Sequence, residues 1–162
     1  FIFPFRTKTK GKNIPLIIVG SAIGFNFCNT FFIGYYLWNI GANYSVEYSS
    51  EFRFILGVVV FATGVFINVK ADNMLLSLRK PGEIGYKIPN GFLFKYISCP
   101  NHFGEMVEWF GFALMMGQLP AYAFALWTIV NLMPRALDHH RWYREKFADY
   151  PKERNAVVPF IL

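Results

Sequence analysis

The stretch WFGFALMMGQLPAYAFALWTIVNLM, residues 109–133, carries no charged side chain and is interrupted only by Gly117-Gln118-Leu119-Pro120. Two structures compete for it. One is a single long helix kinked at Pro120, and the other is a tight hairpin between two helices. The hairpin requires its first helix to begin near Asn101, carrying Glu105 and Glu108 into a bundle, and its second to run past Arg135 towards Tyr143.

Two further apolar runs lie upstream. Residues 14–38 are uncharged and exceed the roughly 20 residues that cross a bilayer. Residues 54–69 are uncharged and rich in Val, Phe and Ile; the run is slightly short, but the flanking Arg53 and Lys70 can snorkel to the interface. Composition agrees, with 54% hydrophobic, 20% aromatic and 16% charged residues in a chain of 162. Soluble domains carry roughly 25% charged residues, and one this apolar would expose enough surface to aggregate. The expected fold is therefore an all-α integral membrane protein with about four transmembrane helices. The chain opens Phe1-Ile2-Phe3, with neither an initiator Met nor a signal-peptide pattern, as expected of a processed product or, the favoured reading, a fragment of a longer protein.

The basic residues decide between kink and hairpin. Arg6, Lys8, Lys10 and Lys12 precede the first run. Lys70, Arg79, Lys80, Lys87 and Lys95 follow the second, and Arg135, Arg141, Arg144, Lys146, Lys152 and Arg154 follow the third. Neither the connection 39–50 nor the turn at Pro120 holds any. Under the positive-inside rule both ends of the segment and the long middle connection are cytosolic, and the two bare connections face the lumen. A single helix over residues 109–133 would put a basic segment on each side, so the charges favour four spans. The net charge of +6 is explained by this distribution without nucleic acid.

Three sets of polar residues fall on single helical faces at the cytosolic ends. Asn68 and Asp72 are four apart, with Arg79 at nearly the same angle if the helix continues. Asn101, Glu105 and Glu108 follow i, i+4, i+7, and Arg135, His139 and Tyr143 step by four with Trp142 beside them. Taken alone, Asp72 and Arg79 read equally well as solvated interfacial residues, and Arg135 with its neighbours as a positive-inside anchor. Glu105 and Glu108 lie in a strongly apolar stretch, where ionisable groups are costly and point to function. Three stripes meeting at one membrane face suit a shared pocket for a large phosphorylated cofactor, with cations for phosphates and amides or carboxylates for hydroxyl and carboxamide groups. A metal site has little support, because the adjacent His139 and His140 diverge on a helix. Cys28 and Cys99 cannot make a disulfide framework and are expected to be reduced. No G-x-G-x-x-G, P-loop, G-x-S-x-G or H-E-x-x-H pattern occurs, which leaves soluble Rossmann and serine-hydrolase readings without support. There is no internal repeat and no boundary to a second domain.

The run Leu78-Arg79-Lys80-Pro81-Gly82-Glu83-Ile84-Gly85-Tyr86-Lys87-Ile88-Pro89 resembles the middle signature of the steroid 5α-reductases. Two more blocks agree in order and spacing: Asn101-His102-Phe103-Gly104-Glu105-Met106-Val107-Glu108-Trp109, and Arg135-Ala136-Leu137-Asp138-His139-His140-Arg141-Trp142-Tyr143. The ending Asp149-Tyr150-Pro151-Lys152-Glu153-Arg154, followed by Val158-Pro159-Phe160-Ile161-Leu162, is similar to the family's C-terminus. The resemblance covers nearly the whole chain, as the C-terminal membrane portion of a seven-span enzyme of the endoplasmic reticulum membrane. It implies NADPH bound from the cytosol and hydride transfer to the β-carbon of an enone, C5 of a Δ4-3-oxosteroid or another lipophilic enone. The matching cofactor-binding positions are Asn68, Asp72, Arg79, Tyr86, Lys87, Asn101, Glu105, Arg135, His139, Tyr143 and Arg154. Glu105, with Asn101 beside it, would bond the nicotinamide carboxamide, and the cations would hold the phosphates. The family's carbonyl-polarising tyrosine and its glutamate partner are expected upstream of residue 1. Lys87 stands where animal members usually carry Arg, which keeps the charge but loses bidentate contact. Asp138 departs from the usual His or Glu, and Cys99-Pro100 is similar to plant-like members.

Other readings of the same pocket are a trans-2-enoyl-CoA reductase or polyprenal reductase of the same superfamily, a membrane S-adenosylmethionine-dependent methyltransferase, and a non-catalytic membrane subunit.

Overall fold

The computed structural model describes residues 15–41, 44–78 and 85–161. Four α-helices account for most of them: α1 Leu16–Asn39, α2 Phe52–Ser77, α3 Pro100–Met116 and α4 Leu119–Lys146. Short 3-10 turns stand at Val46–Ser50 and Phe92–Lys95. The first two helices are each long and apolar enough to cross a membrane. The fold is the expected all-α membrane architecture of four helices. The run at 54–69 extends to Ser77, so Asn68 and Asp72 ride on the same rigid helix as the apolar span.

The interrupted stretch is a hairpin. Gly117 ends α3 in the left-handed conformation at φ 60°, which a residue without Cβ adopts freely, and Pro120 falls in the first turn of α4, where its missing N–H costs nothing. Carbonyls in the last turn of α3 have no partner within the helix. Two tyrosines supply them: the Tyr48 hydroxyl donates to Met115 O at 2.5 Å and the Tyr44 hydroxyl to Met116 O at 2.7 Å. The connection after α1 thus caps the hairpin. Pro134 lies inside α4 without ending it, and the helix passes Arg135 to reach Lys146.

Helices α2 and α3 run antiparallel and meet backbone to backbone. Gly57, Gly64 and Ala71 recur every seven residues on α2 and are all buried. Gly104 and Gly111 do the same on α3. A Cβ on Gly64 would collide with the backbone of Glu108, and one on Gly111 with the backbone of Phe61. A Cβ on Gly104 would lie 2.5 Å from Asn68 N, and one on Gly57 2.6 Å from Met115 N. Lipid tails are as apolar as Leu, so helices in a bilayer gain from close packing rather than from hydrophobic burial, and small residues permit that approach.

The hairpin helices are joined by Ala113, Ala121 and Ala125, with Trp109, Phe112 and Met116 against them. Nearer the other end Cys99, Met106, Leu132, Ala136 and Val157 form a second core. Val157 belongs to a C-terminal segment that returns to the start of α3. There Asn155 N donates to Tyr96 O, Ser98 N to Asn155 O and Cys99 N to Ala156 O, at 2.9 to 3.1 Å. By contrast α1 buries no residue and rests on α4 through Phe25 stacked on Trp127, at 5.5 Å.

Replacing Gly64 by Leu is expected to cost about 3 kcal/mol by overpacking and to lower the melting temperature in detergent. Gly20→Ala, with nothing within 4 Å of the added carbon, should leave it unchanged. Equal melting temperatures for the two variants would show that α2 and α3 are not in backbone contact.

Candidate functional site

The glycine seam sets the register between α2 and α3, and the register sets the neighbours of each polar side chain. Asn68 packs against Gly104, and its amide lies near the carboxylate of Glu108, one turn further along α3. Glu105 interacts electrostatically with Asp72 of α2 and Arg135 of α4, and lies one turn before Trp109 on its own helix. Arg135 and His139 both act on His102, and the His102 and His139 rings lie 6.1 Å apart. Asn101 is half-buried in the first turn of α3, one turn before Glu105. The three polar stripes therefore converge at the end of the bundle opposite the hairpin, with Glu105 within electrostatic reach of Asp72 and Arg135.

A second group continues the site along α4. Tyr143 stands one turn beyond His139 and stacks on Tyr150 at 5.4 Å with the rings 16° from parallel. Trp142 packs edge-on against both Tyr143, at 5.1 Å, and Tyr86, at 4.8 Å. Tyr86 and its neighbour Lys87 are exposed. The guanidinium of Arg154 lies over the Tyr150 ring at 5.2 Å and donates from Nη2 to Asn90 Oδ1 at 2.6 Å.

Arg154 is 4% exposed, yet its Nε and Nη1 have no hydrogen-bond partner among the described residues. Each unpaired buried donor costs on the order of 1–3 kcal/mol, and an uncompensated buried charge costs more. An anion with several acceptor oxygens would satisfy both groups.

Of the residues singled out from the sequence, Asp72 and Arg135 both lie within electrostatic reach of Glu105, Asn68 packs at Gly104, and His139 lies near His102, with Arg135 and His139 exposed on α4. Tyr86, Tyr143 and Arg154 join through Trp142 and Tyr150. Lys87 sits at the exposed edge, and Arg79 lies outside the described residues. Three contributors escaped the sequence reading. Asn90 falls one residue past the Leu78–Pro89 block, Tyr150 was visible only as part of the C-terminal block, and the glycines at 57, 64, 104 and 111 gave a seven-residue spacing that would have predicted the seam. An open groove of about 890 Å³ lies along a different face of α2, lined by Phe61, Val65, Val69 and Lys70 among others. Convergent polar groups rather than enclosed volume mark the site.

Both cysteines are free thiols. Cys99, just before α3, is buried with Ala136 O as its nearest acceptor, at 3.9 Å, and burial pushes its thiol up to about 12.

An all-helical fold, two of its helices long and apolar enough to cross a membrane, with mixed-charge groups at one end defines an all-α membrane protein with a candidate polar site. The family model for 3-oxo-5-alpha-steroid 4-dehydrogenase matches residues 12–162, and the chain belongs to that family. It is 44% identical over 161 residues to a steroid 5-alpha-reductase of Gossypium hirsutum, covering 96% of this chain and 61% of that protein. With 3-oxo-5-alpha-steroid 4-dehydrogenase 1 of Bos taurus it shares 44% over 163 residues, covering 99% and 62%. With its Homo sapiens counterpart it shares 42% over 160 residues, covering 99% and 61%. The chain spans about three-fifths of the length of these relatives.

With its thiolate suppressed, Cys99 should react with a maleimide at pH 8 roughly a thousandfold more slowly than an ordinary exposed thiol. Mass spectrometry of the labelled, folded protein checks this, and prompt modification of Cys99 would contradict its burial.

Proposed function

We propose that this chain is the nicotinamide-nucleotide-holding portion of a membrane reductase that saturates the C4–C5 double bond of a Δ4-3-oxosteroid. The observation that carries the reading is the meeting of three helices' polar stripes beside a buried arginine with unmade hydrogen bonds. Family membership supplies the reaction class.

The donor set fits NADPH. Arg154, with two donors unspent in a dry setting, is suited to a phosphate, and Arg135 and Lys87 add positive charge on the same side. Tyr86, Trp142 and Tyr143 offer aromatic faces to an adenine or a ribose. Glu105 and Asn101, deeper in the bundle, are suited to the carboxamide, since a carboxylate accepts from its NH2 and an amide donates to its oxygen. Asn68 would orient Glu108, and Asp72 would accept from a ribose hydroxyl. When bound, NADPH supplies the hydride. The chain's part is to hold the nucleotide in one orientation and to keep water from the reacting face, both of which lower the barrier to a bimolecular transfer. Reduction of an enone also needs a donor that stabilises charge on the carbonyl oxygen, and no residue of this chain is assigned that task. By the distribution of basic residues the nucleotide enters from the cytosolic face, and the endoplasmic reticulum membrane is the proposed location.

Titration of the detergent-purified protein with NADPH, NADH and S-adenosylmethionine tests the reading. NADPH should bind more tightly than NADH, and Arg154→Ala should weaken NADPH about ten- to a hundredfold, the worth of charge-assisted hydrogen bonds. Equal affinity for the two nicotinamide nucleotides, or preferential binding of S-adenosylmethionine, would count against it. Turnover of progesterone set against an enoyl thioester by the full-length protein then separates a steroid reductase from an enoyl reductase.

A further inference from the structure

Ser98, in the extended segment before α3, is buried, and its hydroxyl has three polar neighbours. Its Oγ lies 2.6 Å from His140 Nδ1, 2.7 Å from the Tyr150 hydroxyl and 3.2 Å from Asn155 O. Asn155 O already accepts from the backbone N–H of Ser98. The single serine proton is therefore best placed towards His140, at the shorter distance. Tyr150 then donates to Ser98 Oγ, and His140 accepts at Nδ1 while carrying its own proton on Nε2. Every hydrogen bond in this chain has one donor and one acceptor. The network ties together three parts of the molecule that are distant in sequence: the lead-in to α3, the last turns of α4 and the C-terminal segment.

None of these three side chains belongs to the nucleotide-holding set described above. Tyr150 is instead the element those residues lean on. Its hydroxyl is pinned by Ser98, its ring stacks on Tyr143, and the guanidinium of Arg154 rests over it. Tyr150 is 5% exposed, which leaves it little surface to offer a ligand. A long arginine side chain that must be ordered on binding loses affinity, whereas one ordered beforehand does not. Asn90 restrains Arg154 at one nitrogen only. The tyrosine ring supplies the second restraint.

We propose that Tyr150, locked by Ser98 and His140, is a positioning residue that presets Arg154 and Tyr143 for the nucleotide. The inference rests on the nucleotide reading of the site. It assigns the Ser98–His140–Tyr150 network a role in affinity without direct contact with the cofactor.

A double-mutant cycle on the detergent-purified protein tests it, with NADPH affinity, kcat and melting temperature read for Tyr150→Phe, Arg154→Ala and the pair. Tyr150→Phe keeps the ring and removes the hydroxyl. It is expected to raise the Kd for NADPH about five- to tenfold, the worth of one hydrogen bond, with kcat of the full-length protein at saturating nucleotide little changed. In the Arg154→Ala background the same change should add less than about twofold, because coupled residues are not additive. His140→Asn, which keeps an acceptor near the Nδ1 position, should retain most of the affinity, and His140→Phe should match Tyr150→Phe. If Tyr150→Phe yields too little folded protein, Ser98→Ala takes its place in the cycle. Additive losses, or a Kd unmoved by both Tyr150→Phe and His140→Phe, would overturn the proposal alone. An Arg154→Ala variant that binds NADPH normally would remove the nucleotide reading, and this proposal with it.

Discussion

The approach of α2 to α3 across Gly57, Gly64, Gly104 and Gly111 is the constraint on which the site depends. At these positions the two backbones are too close for any Cβ. Such contact fixes axial register more firmly than a seam of flexible side chains could, because a slip of one residue would drive a side chain into the opposing backbone. Asn68 faces Gly104 for this reason, and Glu108 and Glu105 fall beside α2 rather than into lipid. Polar groups so placed find partners on the neighbouring helix, which is the condition for tolerating them within an apolar bundle.

The second constraint is the asymmetry between the two ends. At the hairpin end the polar requirements are met within the chain: Tyr44 and Tyr48 satisfy the last carbonyls of α3, and Arg53 donates to the Tyr48 hydroxyl at 3.0 Å. At the other end they are not. Arg154 keeps two nitrogens without a hydrogen-bond partner among the described residues in a buried place. A structure selected only for stability would replace such an arginine by an apolar residue of similar volume. Such an arginine makes sense if a ligand completes the network, so the end with the unmet demand is the end suited to a ligand.

The helices were legible in the sequence because they obey one-dimensional rules. Charge-free runs of sufficient length announced α1 and α2, and the absence of basic residues around Gly117–Pro120 separated a hairpin from a kinked helix. The stripes were legible too, since spacing by three and four places residues such as Asn101, Glu105 and Glu108 on one face. The seam was equally periodic, but a glycine carries no polarity to draw attention, and its meaning appears only when two runs are compared. The partners of Arg154 follow no local rule. Asn90 is 64 residues away in sequence and Tyr150 is held by a serine 52 residues upstream. These contacts come from the return of the C-terminal segment, which has no helical period and pairs with residues 96–99 through only a few backbone hydrogen bonds.

That return also explains why the site needs more than a bundle. Three helices can bring carboxylates, amides and one arginine to a common end, yet they leave the aromatic and cationic groups of α4 pointing past the apolar part of the molecule. The segment carrying Tyr150 and Arg154 folds back over that extension and is pinned at Ser98, beside the first turn of α3. One wall of the site is therefore set by helix packing, and the other by a short extended pairing and a buried hydroxyl. The first wall is rigid because the α2 and α3 backbones touch. The second is only as rigid as its hydrogen bonds, so the geometry of Arg154 depends on Tyr150 and Ser98 rather than on the glycine seam.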